Sequence, residues 1–173
     1  MKNTKFANAP KGSPLPMGEG RGGAVARGLR NNNPLNIRRD GQAWQGLRDE
    51  QKDKAFCQFK SMAYGFRAAF ITIHTYMAKH GLCSIKQIVS RWAPLQDHNN
   101  TEAYIAVVCE LTHLGMNDML WWSNEQQMLA LVQAMAYVEN GVLIGTNGSM
   151  NEGYAMAAES IRLRQKLERQ KAG

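Results

Sequence analysis

Beyond residue 60, apolar residues recur at three- and four-residue spacing in successive stretches, most of them bounded by a start or stop signal. This pattern commits most of the chain to packed helices. Tyr64 to His80 sets Phe66, Phe70, Ile73 and Met77 on one face, and Gly81 is a natural stop. Ser84 caps a short helix with Ile85, Ile88, Val89 and Trp92 inward, ended by Pro94. Asn99 or Asn100 starts a third, which carries Tyr104, Ile105, Val108 and Leu111 towards Gly115. Ser123 and Gln126 form a capping box for a fourth, with Met128, Leu131, Val132 and Met135 as its stripe before Gly141. A last helix runs from about Asn151 into the charged end. The expected fold class is α+β and mainly α: one helical domain with a small irregular or β lobe.

The lobe is read from residues 31–59. Three asparagines before a proline, Asn31-Asn-Asn-Pro34, suit neither helix nor strand. Asparagine bonds nearby backbone, and proline bars the helical conformation in the residue before it. The segment therefore predicts a fixed turn, serving either as a helix-capping loop or as a presenter of amides to a sugar, with Trp44 alongside. The runs at Leu35-Asn-Ile37 and Ala55-Phe-Cys-Gln-Phe59 suit two short strands or an irregular lobe. Residues 1–26, rich in Gly and Pro without a periodic apolar face, predict disorder; 27–160 form the folded domain and 161–173 a basic helical tail.

Charge and cysteine usage narrow the function classes. The net charge of +7 divides into +5 over residues 1–30, +4 over 161–173 and −2 between them. A face tracking phosphates would need that excess in the folded part, which argues against nucleic acid as a partner. No stretch approaches the roughly 18 to 20 apolar residues of a membrane span, and the N-terminus lacks a signal-peptide core. Cys57, Cys83 and Cys109 are odd in number and widely spaced, and the four histidines show no ligand spacing, so neither a disulfide framework nor a metal or other cofactor is expected.

Glu139 is the candidate catalytic carboxylate. It lies four residues after Met135 and seven after Val132, so it continues an apolar stripe, and it stands in the last turn before Asn140-Gly141. Partial burial and the negative helix end both disfavour its anion. A carboxylic acid that keeps its proton is what glycosidic cleavage needs, because the leaving oxygen must be protonated. The plainer alternative is a helix-end Glu paired to Arg38 or Arg67, or frayed into solvent. Asp40, Asp49, Glu50 and Asp53 read as a solvated mixed-charge surface, and Glu102 and Glu125 as first-turn charges that favour the helix dipole. Phe66, Phe70 and Trp92, at helical spacing, read as core.

Arg27-Gly-Leu-Arg-Asn-Asn-Asn-Pro-Leu-Asn-Ile-Arg38, Trp44-Gln-Gly46, Phe56-Cys-Gln-Phe59, Tyr64-Gly-Phe-Arg-Ala68, Arg91-Trp-Ala-Pro94, Asn100-Thr-Glu-Ala-Tyr-Ile105 and Glu139-Asn-Gly141 together resemble a phage and prophage family often labelled virion structural proteins. The resemblance spans Arg27 to Ala157. Members are similar to lytic murein hydrolases of lysozyme-like fold. A looser similarity links Glu139-Asn-Gly141 and the 31–59 lobe to glucosaminidases and lytic transglycosylases, in which the two elements come in the opposite order. The domain then resembles a circular permutation of that scaffold. Leu35 stands where the family usually has Gly, and Val142-Leu-Ile-Gly145 replaces a more polar segment. The resemblance implies Glu139 as general acid and Asn31, Asn32, Asn33, Asn36, Arg38, Trp44, Phe59, Tyr64 and Arg67 as the sugar-binding set.

The expected activity is degradation of bacterial peptidoglycan by cleavage of the glycan strand between N-acetylated sugars, as a lytic transglycosylase or muramidase with a single acid. The rivals are a murein endopeptidase on the same scaffold, a non-catalytic virion or wall-binding protein, and an RNA-binding protein using the basic ends. The expected partners are peptidoglycan and other virion proteins. The expected location is the producing cell's cytoplasm or the virion, with action at the cell wall.

Overall fold

In a computed structural model, residues 25–97 and 99–173 are described. Most of the segment expected to be disordered, 1–26, thus lies outside the described residues. The elements are α1 (Arg27–Arg30), α2 (Met62–His80), α3 (Ile85–Trp92), α4 (Thr101–Thr112), α5 (Glu125–Asn140) and α6 (Ser149–Ala172). A 3-10 turn at Leu95–Asp97 separates α3 from α4.

The architecture is mainly α, as the periodicity predicts. α2 is the hub: Ala63, Gly65, Phe66, Arg67, Ala68, Ala69, Phe70 and Ile71 are all buried, so its first turns are covered on every side. α6 packs along it, while α4 packs on α5 and α3 on α4. Phe70 meets Tyr154 of α6 edge-on at 5.2 Å between ring centres. Among the described residues no helix is long and apolar enough to cross a membrane.

Helix ends follow local chemistry, with four shifts from expectation, the first being that α2 begins at Met62, two residues ahead of Tyr64. Ser84 caps α3, its side chain accepting from the Gln87 amide, and Asn100 caps α4 by accepting from the Ala103 amide. Gly81 and Gly141 end α2 and α5 in the left-handed conformation. The cap of α5, however, is Asn124, which accepts from the Gln127 amide, in place of Ser123 with Gln126. Gln127 instead turns its side-chain oxygen to the Trp121 amide at 3.0 Å. α4 stops at a left-handed His113, before Gly115, and α6 begins at Ser149, two residues ahead of Asn151. The tail from 161 continues α6 unbroken, with 162–173 exposed.

The 31–59 lobe is irregular. Among the described residues it has no strand, only isolated antiparallel bridges pairing Arg38 with Phe56 and Leu47 with Phe59. Side chains replace the missing ladder. Gln58 Oε1 accepts from the Lys52 and Asp53 amides at 2.6 and 3.0 Å, and Asp53 Oδ1 accepts from the Ala55 and Phe56 amides at 3.0 Å each. Asp53 is therefore not the solvated loop acid expected: burial raises its pKa, but these bonds, one from Asn31 and the Arg27 charge outweigh it and hold the carboxyl below its ordinary range. The lobe docks on α2 through Gly65, where a Cβ would run into the Asn32 carbonyl and lie 2.6 Å from Pro34 Cδ.

Candidate functional site

The asparagine turn is built from the inside. Asn33 is wholly buried; its amide donates to the Ile37 and Cys57 carbonyls at 2.9 Å each, and its oxygen accepts from the Ile37 amide at 2.8 Å. Asn31, also buried, donates to Asp53 at 2.8 Å and accepts from Gln58 at 2.9 Å. Asn32, left-handed at φ 50°, donates to the Phe59 carbonyl at 3.1 Å. These three amides are spent within the fold, which corrects the expectation that Asn31, Asn32 and Asn33 face a sugar. Phe59 is fully buried core, and Arg67 is buried between α2 and α6, donating to Ser160 at 3.0 Å. Neither contributes to a groove at Glu139. Tyr64 lies over Gly46, where a Cβ would collide with its ring, and helps hold the lobe.

Asn36 is the member of the turn that reaches Glu139. It too is left-handed, at φ 50°, a conformation asparagine tolerates better than most residues. Its Nδ2 donates to Glu139 Oε2 at 2.9 Å. The opposite oxygen, Oε1, accepts from the Tyr104 hydroxyl at 3.1 Å, so α4, α5 and the turn converge on one carboxyl. The next residue locks the same junction: Asn140 Nδ2 donates to the Pro34 carbonyl at 2.7 Å and to the Ala136 carbonyl at 2.8 Å. Burial, the largest influence, raises the Glu139 pKa; hydrogen bonds from Asn36, Tyr104 and Trp92 and the charge of Arg38 pull it down, and the net shift is upward. Tyr104, wholly enclosed, is pushed well above its ordinary value by burial and then by Glu139.

The carboxyl's two partners suit either protonation state. Tyr104 also lies 3.3 Å from the Met135 carbonyl, so its hydroxyl can donate there while accepting from a protonated Glu139. Asn36 Oδ1 is buried without a partner, and a turn of that amide would place an acceptor where Nδ2 now stands. The arrangement can hold a proton on Glu139 and release it without rebuilding the site.

Beside this junction runs a groove of about 550 Å³. Asn36, Arg38 and Trp44 of the lobe form one side, and Tyr76 of α2 and Trp92 of α3 the other. Glu139 is not on the groove surface; it sits behind Asn36 and Trp92, partly accessible. Trp44 is half-buried, with one part packed on the core and its indole N–H buried without a partner. Arg38 is exposed, its guanidinium 5.3 Å from the Phe56 ring centre. Of the residues expected at the site, the structure thus brings together Glu139, Asn36, Arg38 and Trp44.

Tyr104 and Trp92 went unrecognised because helical spacing assigns them to the core, and Tyr76, off the apolar stripe of its helix, carried no signal of its own. A tyrosine within an apolar stripe still needs a partner for its hydroxyl, and that was the available signal for Tyr104.

No protein-family model matches the chain. Over 133 residues it is 41% identical to Protein P5 of Pseudoalteromonas phage PM2, a span covering 75% of this chain and 81% of that protein.

Proposed function

The chain belongs to the family of Protein P5 of phage PM2, and from that kinship to a phage protein together with the Glu139 junction we propose that it degrades peptidoglycan, cleaving the glycan strand with Glu139 as general acid. The observation that carries this reading is a carboxyl with an upward-shifted pKa, gripped by Asn36 and Tyr104 directly behind a groove walled by Trp44, Tyr76 and Trp92. Protonation of the leaving oxygen is the step such a group serves, and aromatic faces suit pyranose rings.

Delivery of the proton requires the Asn36 amide to turn aside, which gives up its 2.9 Å bond to Glu139 Oε2 but none at its unpartnered oxygen. Asp40 is the acidic residue among those lining the groove; it is exposed, and its Oδ1 accepts from the Gln42 amide at 3.0 Å. With a single enclosed acid, the lytic transglycosylase course is favoured. Glu139 gives its proton to the glycosidic oxygen, the substrate's own 6-hydroxyl closes on the anomeric carbon, and the carboxylate takes the proton that hydroxyl loses. The helical body around Glu139, with the lobe preceding it in sequence, is compatible with a permuted lysozyme-like scaffold. The protein would act at the cell wall, carried by a virion or released at lysis.

A second reading has one specific support: both Glu139 oxygens already accept hydrogen bonds within the fold, as a purely structural tie would. The chain would then be a non-catalytic virion or wall-binding protein. Mass spectrometry of material released from purified sacculi separates the two. Anhydro-muramyl ends support transglycosylation, reducing ends hydrolysis and free peptide amines an endopeptidase, and no release supports the binding role.

A further inference from the structure

The groove beside Glu139 carries more positive charge than a neutral sugar requires. Arg38, Lys79, Arg91 and Arg164 reach it from the lobe, α2, α3 and α6. The ion pairs among the described residues are Arg27 with Asp53, Lys52 with Glu50 and Lys60 with Asp49, so none of these four has a carboxylate within 4.0 Å. Arg91 is held by its neighbour instead, its guanidinium 5.3 Å from the Tyr76 ring centre, which fixes it at the rim. The Arg164 charge is felt at α2: burial and then Arg164 lower the pKa of His74, and at Arg67 burial lowers it, Tyr64 opposes and Arg164 lowers it further. Among the described residues these four cations face a single acidic residue of the lining, Asp40, and none is ion-paired, so the groove keeps a net positive field that favours an anionic occupant.

We infer that this groove selects glycan carrying carboxylates, the peptide-substituted strand of peptidoglycan, over a neutral N-acetylated glycan, with Arg91 and Arg164 receiving the carboxylates of the stem. The inference rests on the peptidoglycan reading above and adds its substrate class. Guanidinium groups suit this role because they pair with carboxylates through two parallel hydrogen bonds. A nucleic acid would also answer the charge, but the groove lies directly against the Glu139 junction, and a phosphate chain has no use for an enclosed proton donor.

The test is a binding measurement on full-length E139Q protein, which removes turnover. The ligands are a soluble disaccharide–peptide muropeptide, an N-acetylglucosamine oligomer and a short single-stranded oligonucleotide, each at low and high salt. The expected result is tighter binding of the muropeptide than of the neutral oligomer, with that preference reduced about tenfold by adding R91Q and R164Q and weakened by salt. Both arginines are exposed, so the fold is expected to survive; unchanged melting temperatures check it. Equal affinity for the muropeptide and the neutral oligomer, or a preference untouched by R91Q/R164Q, overturns the inference and leaves the peptidoglycan reading standing. Binding of the oligonucleotide alone overturns both.

Discussion

Asn36 Nδ2 lies 2.9 Å from Glu139 Oε2, although 103 residues separate them in the chain. This bond joins the asparagine turn to the end of α5, and with Tyr104 on the other oxygen it sets how Glu139 holds its proton. A carboxyl so enclosed titrates according to its neighbours, which makes the junction accessible to simple substitutions.

N36D should raise the Glu139 pKa further. Aspartate accepts the left-handed backbone almost as well as asparagine, and it replaces a donor by a like charge. Carbon-13 NMR of the Glu139 carboxyl should show its midpoint moving upward from wild type; a downward move would mean that Asn36 does not govern it.

Y104F should cost stability while leaving the fold intact. It removes one hydroxyl shared between Glu139 and the Met135 carbonyl, a loss of about 1–2 kcal/mol for a buried hydrogen bond. Loss of that donor should also raise the Glu139 midpoint. Urea denaturation measures the first effect and carboxyl NMR the second.

The pH dependence of stability has a definite sign. Because the folded chain holds the Glu139 proton above the ordinary value of 4.5, this group's contribution is complete below that value and is lost as pH rises through the folded pKa. E139Q does not titrate. Its stability relative to wild type should therefore improve as pH rises through that window in paired denaturation series, and a difference that is flat with pH would deny the shift.

Trp44→Ala should affect both substrate and fold. The side chain is half-buried, so its loss should cost about 2 kcal/mol, less than the roughly 3–5 kcal/mol of a fully buried aromatic. Affinity for N-acetylated oligosaccharide should fall with it. Full retention of binding would mean that the indole serves packing alone.

G65A should be among the most damaging small changes. The added methyl meets the Asn32 carbonyl, which the turn cannot move, so a loss of about 1–3 kcal/mol is expected in thermal or urea unfolding.

The helices were legible because their signals are local: Ser84, Asn100, Gly81 and Gly141 act where the sequence places them. That Glu139 is drawn inward was legible through its position on the α5 stripe. The turn itself was legible, but the direction of its amides was not. Asn33 and Asn31 bond partners more than twenty residues away, Cys57 and Asp53, and no local rule chooses between such a partner and a sugar. The same applies to Arg67, which periodicity cannot distinguish from a site residue until α6 lies across α2. Asp53 looks like an ordinary loop acid and Gln58 like the polar member of a short alternating run, yet their side chains take the place of a sheet ladder, and only the closed lobe reveals it. Ser123 and Asn124 are both good caps, and in the fold the second takes the place, its side chain accepting from the Gln127 amide.

Release of soluble fragments from purified sacculi by wild type and E139Q tests the general-acid role most directly. The amide keeps the shape and the place between Asn36 and Tyr104 but has no proton of carboxylic acidity to give. Wild type should release glycan fragments with newly formed ends, and E139Q should release them at least about a hundredfold more slowly with an unchanged circular dichroism spectrum, since positioned proton transfer is worth roughly 10² to 10⁴ in rate. Fragment release by E139Q at more than about a tenth of the wild-type rate, or no release by wild type itself, would contradict it.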